Sequence, residues 1–144
     1  MTATSNRKSA GSDALFNPAV LVIEDEPTVM AYIRAALEKH GYRVAQAASG
    51  VEGLAMLAGN RYRGIISDMR TPGGVSGADV HQWVVGHHPE LGSKMLFTTG
   101  DTANEETAAI LKNTGVPYIE KPFRVNQLIT LVKSIIGSAD EGGV

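Results

Sequence analysis

Five short runs rich in aliphatic and β-branched residues, beginning at positions 20, 43, 64, 94 and 117, alternate with longer stretches of helical periodicity. That alternation constrains the fold more than any other feature of the chain. The runs are Val20-Leu21-Val22-Ile23, Arg43-Val44-Ala45-Gln46-Ala47, Gly64-Ile65-Ile66-Ser67, Lys94-Met95-Leu96-Phe97-Thr98 and Pro117-Tyr118-Ile119-Glu120. Three of them are almost continuously apolar, as strands covered on both faces must be. Each interval is long enough for one crossover helix. Pro27 suits a first helical turn, with Val29, Ile33, Ala36 and Leu37 on one face before Gly41. Ser49 with Glu52 predicts a capping box ahead of Leu54 and Leu57, closed by Gly59-Asn60. A third helix is expected from near Ser76, with Val80, Trp83 and Val84, ending before Pro89. Thr102 with Glu105 predicts another capping box, leading to Ile110 and Leu111 and a stop at Gly115. A last helix carries Val125, Leu128, Ile129, Val132, Ile135 and Ile136. Five βα units imply a parallel sheet with helices on both faces, and right-handed crossovers leave only a few doubly wound strand orders.

The 144 residues, 43% apolar and 19% charged, suffice for one packed domain. Residues 1–17 read as a flexible leader that Pro18 ends, residues 18–137 as the domain, and residues 138–144 as a flexible tail. Thirteen basic against fifteen acidic residues exclude the uniformly basic face of a dedicated nucleic-acid binder. The lack of cysteine excludes a disulfide scaffold, a cysteine-ligated metal and a cysteine nucleophile. No apolar run approaches the roughly 18 residues that span a bilayer, and the polar N-terminus lacks a secretion signal. A cytoplasmic protein with neither membrane nor nucleic acid as a direct partner is the expectation.

In a doubly wound sheet, ligands bind beyond the carboxyl ends of the strands. Those ends carry Glu24, Asp25 and Glu26 after the first strand and Asp68 after the third. Thr98, Thr99 and Gly100 follow the fourth, and Lys121 with Pro122 follows the fifth. Any one polar residue there means little, because chains must surface where strands stop. Together they converge on one edge. Two carboxylates 4 Å apart repel by about 4 kcal/mol at an effective dielectric of 20, so converging acids raise one another's pKa or hold a cation. An all-oxygen set suits a hard divalent ion, Mg²⁺ first. A lysine and a hydroxyl complete a site able to neutralise a phosphoryl group, with a carboxylate as acceptor. Asp68, alone after the central apolar strand, is the candidate nucleophile, and Glu24 and Asp25 are the natural metal holders.

Four segments together resemble the receiver domains of two-component response regulators: Leu21-Val22-Ile23-Glu24-Asp25-Glu26-Pro27, Ile65-Ile66-Ser67-Asp68-Met69-Arg70-Thr71-Pro72-Gly73, Phe97-Thr98-Thr99-Gly100 and Tyr118-Ile119-Glu120-Lys121-Pro122-Phe123. The resemblance covers about residues 18 to 137. It implies a doubly wound (βα)5, flavodoxin-like (CheY-like) three-layer sandwich with strand order 2-1-3-4-5. It implies that Asp68 accepts a phosphoryl group from a histidine of a kinase or phosphotransfer protein. Asp25 would bind Mg²⁺ directly and Glu24 through water, with Asp68 and the main-chain carbonyl of Arg70 as further ligands. Thr99 would be the switch hydroxyl, Lys121 the cation paired with the phosphoryl group, and Tyr118 the aromatic side chain that follows Thr99. The Lys121–Pro122 bond would be cis. Such a protein is a signalling switch, catalysing only its own phosphorylation and dephosphorylation. Phosphorylation would bias the surface of the fourth helix, fifth strand and fifth helix, leaving a phosphorylation-dependent dimer and an unidentified downstream protein as its readouts. The run Phe97-Thr98-Thr99-Gly100-Asp101-Thr102 looks more like receivers fused to the end of hybrid histidine kinases.

The chain departs from the commonest pattern in three places. Glu24 stands where aspartate is usual, the interval from Asp68 to Gly77 is one residue longer than in chemotaxis-type receivers, and Arg70 and Asp101 flank the path of an attacking water. Gly73-Gly74-Val75-Ser76-Gly77 follows a strand but lacks the spacing of a nucleotide fingerprint, so it reads as loop punctuation. Adjacent His87 and His88 point apart on a helix and read as a solvated helix end. Trp83, Met30 and Met56 read as core, and Glu26 as a charge at a helix N-terminus. Two alternative functions are a phosphorylation-independent interaction module of the same fold and a Mg²⁺-dependent phosphohydrolase. The latter needs a second acid two residues after the nucleophile, where Arg70 stands.

Overall fold

A computed structural model describes residues 14–139. Its elements run β1 (Leu15–Ile23), α1 (Pro27–Lys39), β2 (Val44–Ala47), α2 (Gly50–Gly59), β3 (Asn60–Asp68), α3 (Gly77–His87), a 3₁₀ turn (Pro89–Lys94), β4 (Met95–Thr99), α4 (Glu105–Thr114), β5 (Tyr118–Glu120) and α5 (Val125–Ile135). All strand pairs are parallel, in the order β2-β1-β3-β4-β5. Alternate residues of each strand face opposite layers. Leu21, Ile23, Ile65, Met95 and Phe97 pack with Leu57 of α2, Val80 and Val84 of α3 and Leu111 of α4. Val20, Val22, Ile66 and Leu96 pack with Met30, Ile33 and Leu37 of α1 and Leu128, Ile129 and Val132 of α5. The result is the three-layer sandwich expected from the alternating pattern.

Several local expectations need correction. β1 starts at Leu15, inside the segment read as a leader, and pairs with β3 from Asn60 onward. Pro18 sits where the β1–β3 register shifts between Asn17 and Val20, a place where a residue without an N–H costs no ladder bond. The Asn17 side chain accepts from the Ala19 N–H at 3.0 Å. Residues 1–13 of the leader and 140–144 of the tail lie outside the described residues. Helix α4 starts at Glu105, capped by Asn104, whose side chain accepts from the Thr107 N–H, and not by Thr102. The Thr102 hydroxyl instead donates to Glu120 at 3.0 Å. The box at Ser49 is half formed: its hydroxyl accepts from the Glu52 N–H, but the Glu52 carboxylate takes the N–H of Ala48. A complete box caps α3, between Ser76 and Asp79. Nor is the end of α3 a solvated pair of histidines. His87 stacks on Trp83 with ring centroids 4.0 Å apart, and His88 is buried in an edge contact with the same tryptophan at 5.6 Å. Trp83 and Met56 are half-buried at the edge of the core, and Met30 lies within it.

Arg63, buried to 9% exposure, ties the last turn of α5 to the sheet. Its guanidinium donates to the carbonyls of Ile136, Gly137, Ser138 and Ala139 at 2.8–3.5 Å and lies 5.1 Å from the Tyr42 ring centroid. Ile136 is the C-cap residue of α5 and the other three follow it, and of the four the Gly137 carbonyl also accepts from the Tyr42 hydroxyl at 2.6 Å. Arg63→Met should therefore lower the unfolding free energy by about 2 kcal/mol, the cost of leaving buried acceptors unpaired. Urea denaturation measures it; a change under 0.5 kcal/mol would mean that water replaces the guanidinium.

Candidate functional site

The four parallel strands β1, β3, β4 and β5 all end at one edge, and their last residues meet there. Glu24 leaves β1 buried at 2% exposure, held by its own N–H to the Ala47 carbonyl at 3.0 Å. Its carboxylate accepts from the Glu26 N–H at 3.0 Å and from the Lys121 ammonium at 3.0 Å. Asp68, the last residue of β3, is 8% exposed and accepts from the same ammonium at 3.1 Å and from the Arg70 N–H at 3.3 Å. The main chain of Lys121 is fixed by its N–H to the Thr99 carbonyl at 2.8 Å, and the Lys121–Pro122 bond is cis. Asp25 is exposed at the mouth. Glu24, Asp25 and Asp68 each offer an oxygen within 4.8 Å of the others. Such a set of hard oxygen donors fits a small divalent cation.

The electrostatics follow from the charge balance: one ammonium serves two buried carboxylates. Burial pushes the Glu24 carboxyl above its ordinary pKa, more than the Glu26 N–H and Lys121 draw it back, and the Asp68 charge adds to the rise. Burial opposes the Lys121 charge, but the hydrogen bonds and charges of Glu24 and Asp68 outweigh it, so its pKa lies above that of a free lysine. The cleft thus holds a fixed cation and an unneutralised carboxylate.

Thr99, buried at the end of β4, accepts from the Asp101 N–H at 3.3 Å through its hydroxyl. Tyr118, on the edge strand, is 46% exposed and lies beside a cavity of about 210 Å³ lined by Thr102, Ala108, Leu111 and Lys112. Arg70 brings its main chain to Asp68 while its side chain is exposed, and Asp101 is exposed on the facing loop. Glu26 is the N-cap residue of α1 but makes no side-chain cap; its contribution is the N–H given to Glu24. Nothing in the sequence singles out Thr71, although its hydroxyl accepts from the Gly50 N–H and donates to the Val75 carbonyl. The only available signal is a hydroxyl next to the proline and glycines of the β3–α3 loop. Gly77 is demanded by the site itself: a Cβ there would lie 2.7 Å from the Asp68 carbonyl oxygen.

A doubly wound α/β fold of order 2-1-3-4-5, with a lysine bridging two acids at its strand ends, defines a flavodoxin-like protein built around an acidic cleft. Over residues 20–133 the chain matches the response regulator receiver domain family, and it belongs to that family. It is 29% identical over 143 residues to the sensor kinase CckA of Brucella abortus (strain 2308), a match covering 97% of this chain and 15% of the kinase. It is 29% identical over 126 residues to the response regulator MprA of Mycobacterium sp. (strain KMS), covering 85% of this chain and 53% of that protein. Among solved structures it is similar to the signal receiver domain of a signal transduction histidine kinase from Syntrophus aciditrophicus. The TM-score is 0.73 at 26% identity, over 82% of this chain and 89% of that one. No helix of the described residues is long and apolar enough to cross a membrane.

Proposed function

We propose that this chain accepts a phosphoryl group from a phosphohistidine onto Asp68 and so works as a two-component switch. The observation that carries this is the Lys121 ammonium set 3.0 Å from Glu24 and 3.1 Å from Asp68 at the strand ends. A carboxylate oxygen of Asp68 forms the new bond to phosphorus as the bond from the donor imidazole breaks, and the imidazole nitrogen keeps that electron pair. Lys121 stays beside the incoming charge. The Thr99 hydroxyl gives up the Asp101 N–H and donates to a phosphoryl oxygen, and Tyr118 follows into the adjoining cavity. Those movements bias the α4–β5–α5 surface toward a second state, which a downstream protein or a second copy reads. Mg²⁺, held by Asp25, Asp68 and the Arg70 carbonyl with Glu24 through water, would supply charge neutralisation between the carboxylates and the phosphoryl oxygens.

The partner is a histidine kinase or a histidine phosphotransfer protein. An apolar groove of about 530 Å³, lined by Thr28, Val29, Tyr32, Pro122 and Phe123, opens beside Lys121 and gives a helix bearing the donor histidine a place to seat. Tyr32 and Phe123 hold its walls together through a ring contact at 5.9 Å and the bond from the Tyr32 hydroxyl to the Phe123 carbonyl. The relatives include a sensor kinase and a response regulator at the same 29% identity.

Intact-protein mass after incubation with acetyl phosphate tests the proposal. A Mg²⁺-dependent gain of one phosphoryl group is expected, and it should vanish in Asp68→Asn. Absence of any gain in a folded protein would instead favour the phosphorylation-independent module.

A further inference from the structure

We propose that Thr71 is a positioning residue for the cleft: its side chain fastens the loop carrying the Arg70 carbonyl to the first turn of α2. The inference rests on the reading of Asp68 as a phosphoacceptor with a divalent cation beside it.

The β3–α3 loop leaves the sheet at Asp68 and returns at Gly77. Its base is closed by the Gly77 N–H donating to the Met69 carbonyl at 3.0 Å, and its first residue by the Arg70 N–H on Asp68. Above that base the main chain has no ladder partner. Thr71 supplies the missing contacts with one hydroxyl, which accepts from the Gly50 N–H at 3.0 Å and donates to the Val75 carbonyl. The first contact crosses to another element, because Gly50 opens α2. The Gly50 N–H is among those that a helix start leaves without an intrahelical acceptor. Ser49 has its hydroxyl on Glu52 instead. The second contact spans Pro72, Gly73 and Gly74, so the extra residue of this loop is taken up at the tip. Both glycines there have left-handed φ, +91° and +82°.

The consequence for the cleft follows from peptide planarity. The Arg70 carbonyl and the Thr71 nitrogen belong to one rigid plane. One side of that plane is held by the Arg70 N–H on Asp68, and the other by Thr71 bound to α2. An oxygen offered to a cation must be held in place, and partners behind the ligands typically change metal affinity 10–100-fold when removed. Residues at this position without a hydroxyl would leave the Gly50 N–H and the Val75 carbonyl unpaired, and the carbonyl plane free to tilt.

Thr71→Val keeps the shape and removes the hydroxyl; Thr71→Ser keeps the hydroxyl. Mg²⁺ affinity by calorimetric titration of the full chain is expected to fall roughly 10-fold in Thr71→Val and to return to within twofold in Thr71→Ser. Hydrogen exchange of the Gly50 amide in the unmodified protein should be slowed well below that of an exposed amide, and should quicken in Thr71→Val. Unchanged Mg²⁺ affinity in Thr71→Val with a lowered melting temperature would overturn the proposal and leave a merely structural contact. So would an unprotected Gly50 amide in the unmodified protein, which needs no variant to fold. An unmodified chain that binds no Mg²⁺ and gains no phosphoryl group would overturn the phosphoacceptor reading itself, and with it any role for Thr71 at the cleft.

Discussion

Lys121→Ala is expected to slow phosphoryl acceptance at Asp68 by about two to three orders of magnitude, the loss seen when one preorganised donor to developing charge is removed. The ammonium is the only cation bonded to Glu24 or Asp68 among the described residues. Without it two buried carboxylates face each other and an incoming phosphoryl group adds a third centre of negative charge. Burial already holds the Glu24 carboxyl above its ordinary pKa, and losing Lys121 removes one of the contacts that draw it back. Lys121→Arg separates charge from geometry, because a planar guanidinium cannot occupy the point between Glu24 and Asp68 as a compact ammonium does. It should recover only part of the rate. The measurement is the rate of mass gain from acetyl phosphate at saturating Mg²⁺; an alanine variant within threefold of the unmodified rate would sink the assignment.

Phe97→Ala has the largest expected effect on stability, a loss of about 3–5 kcal/mol for deleting a fully buried ring. Phe97 is completely inaccessible, lies at the centre of β4 between β3 and β5, and receives the edge of the His81 ring with centroids 6.4 Å apart. Its ring also meets the site: a Cβ on Gly77 would lie 3.2 Å from Phe97 Cε1. A domain of ordinary stability, about 5–15 kcal/mol, is left near its threshold by such a loss. Chemical denaturation monitored by circular dichroism gives the number. A loss under 1 kcal/mol would mean that the α3 and α4 side chains collapse into the space.

The parts of this molecule legible in the sequence are those where one residue type has one reason to be present. Ile65-Ile66 within an alternating pattern of five apolar runs reads as a strand covered twice, and Asp68 after it falls at a strand end. The cleft was legible for the same reason, since Glu24, Asp68, Thr99 and Lys121 each follow an apolar run. What the sequence left hidden depends on partners distant along the chain. Arg63 looks like any surface cation until the end of α5, more than seventy residues on, brings its carbonyls to it. His88 looks solvated until Trp83 and the Leu57 carbonyl cover it. Thr102 and Asn104 are both competent caps, and the choice between them was decided by Glu120 on another strand. Pairing with Asn60–Tyr62 likewise draws Leu15–Asn17 into the sheet, although Asn17-Pro18 separates them from the apolar run that follows.

The clamp of Arg63 on the last turn of α5 also governs how the domain can be joined to other things. β1 begins, and α5 finishes, at the amino end of the sheet, and Phe16 and Ile136 line one common pocket there. The acidic cleft lies at the other end of β1, about 25 Å away for nine residues of strand. The two ends of the described residues share one pole, opposite the acidic cleft. A partner approaching the cleft would therefore meet neither end of the described residues, only the strand ends and the loops that follow them.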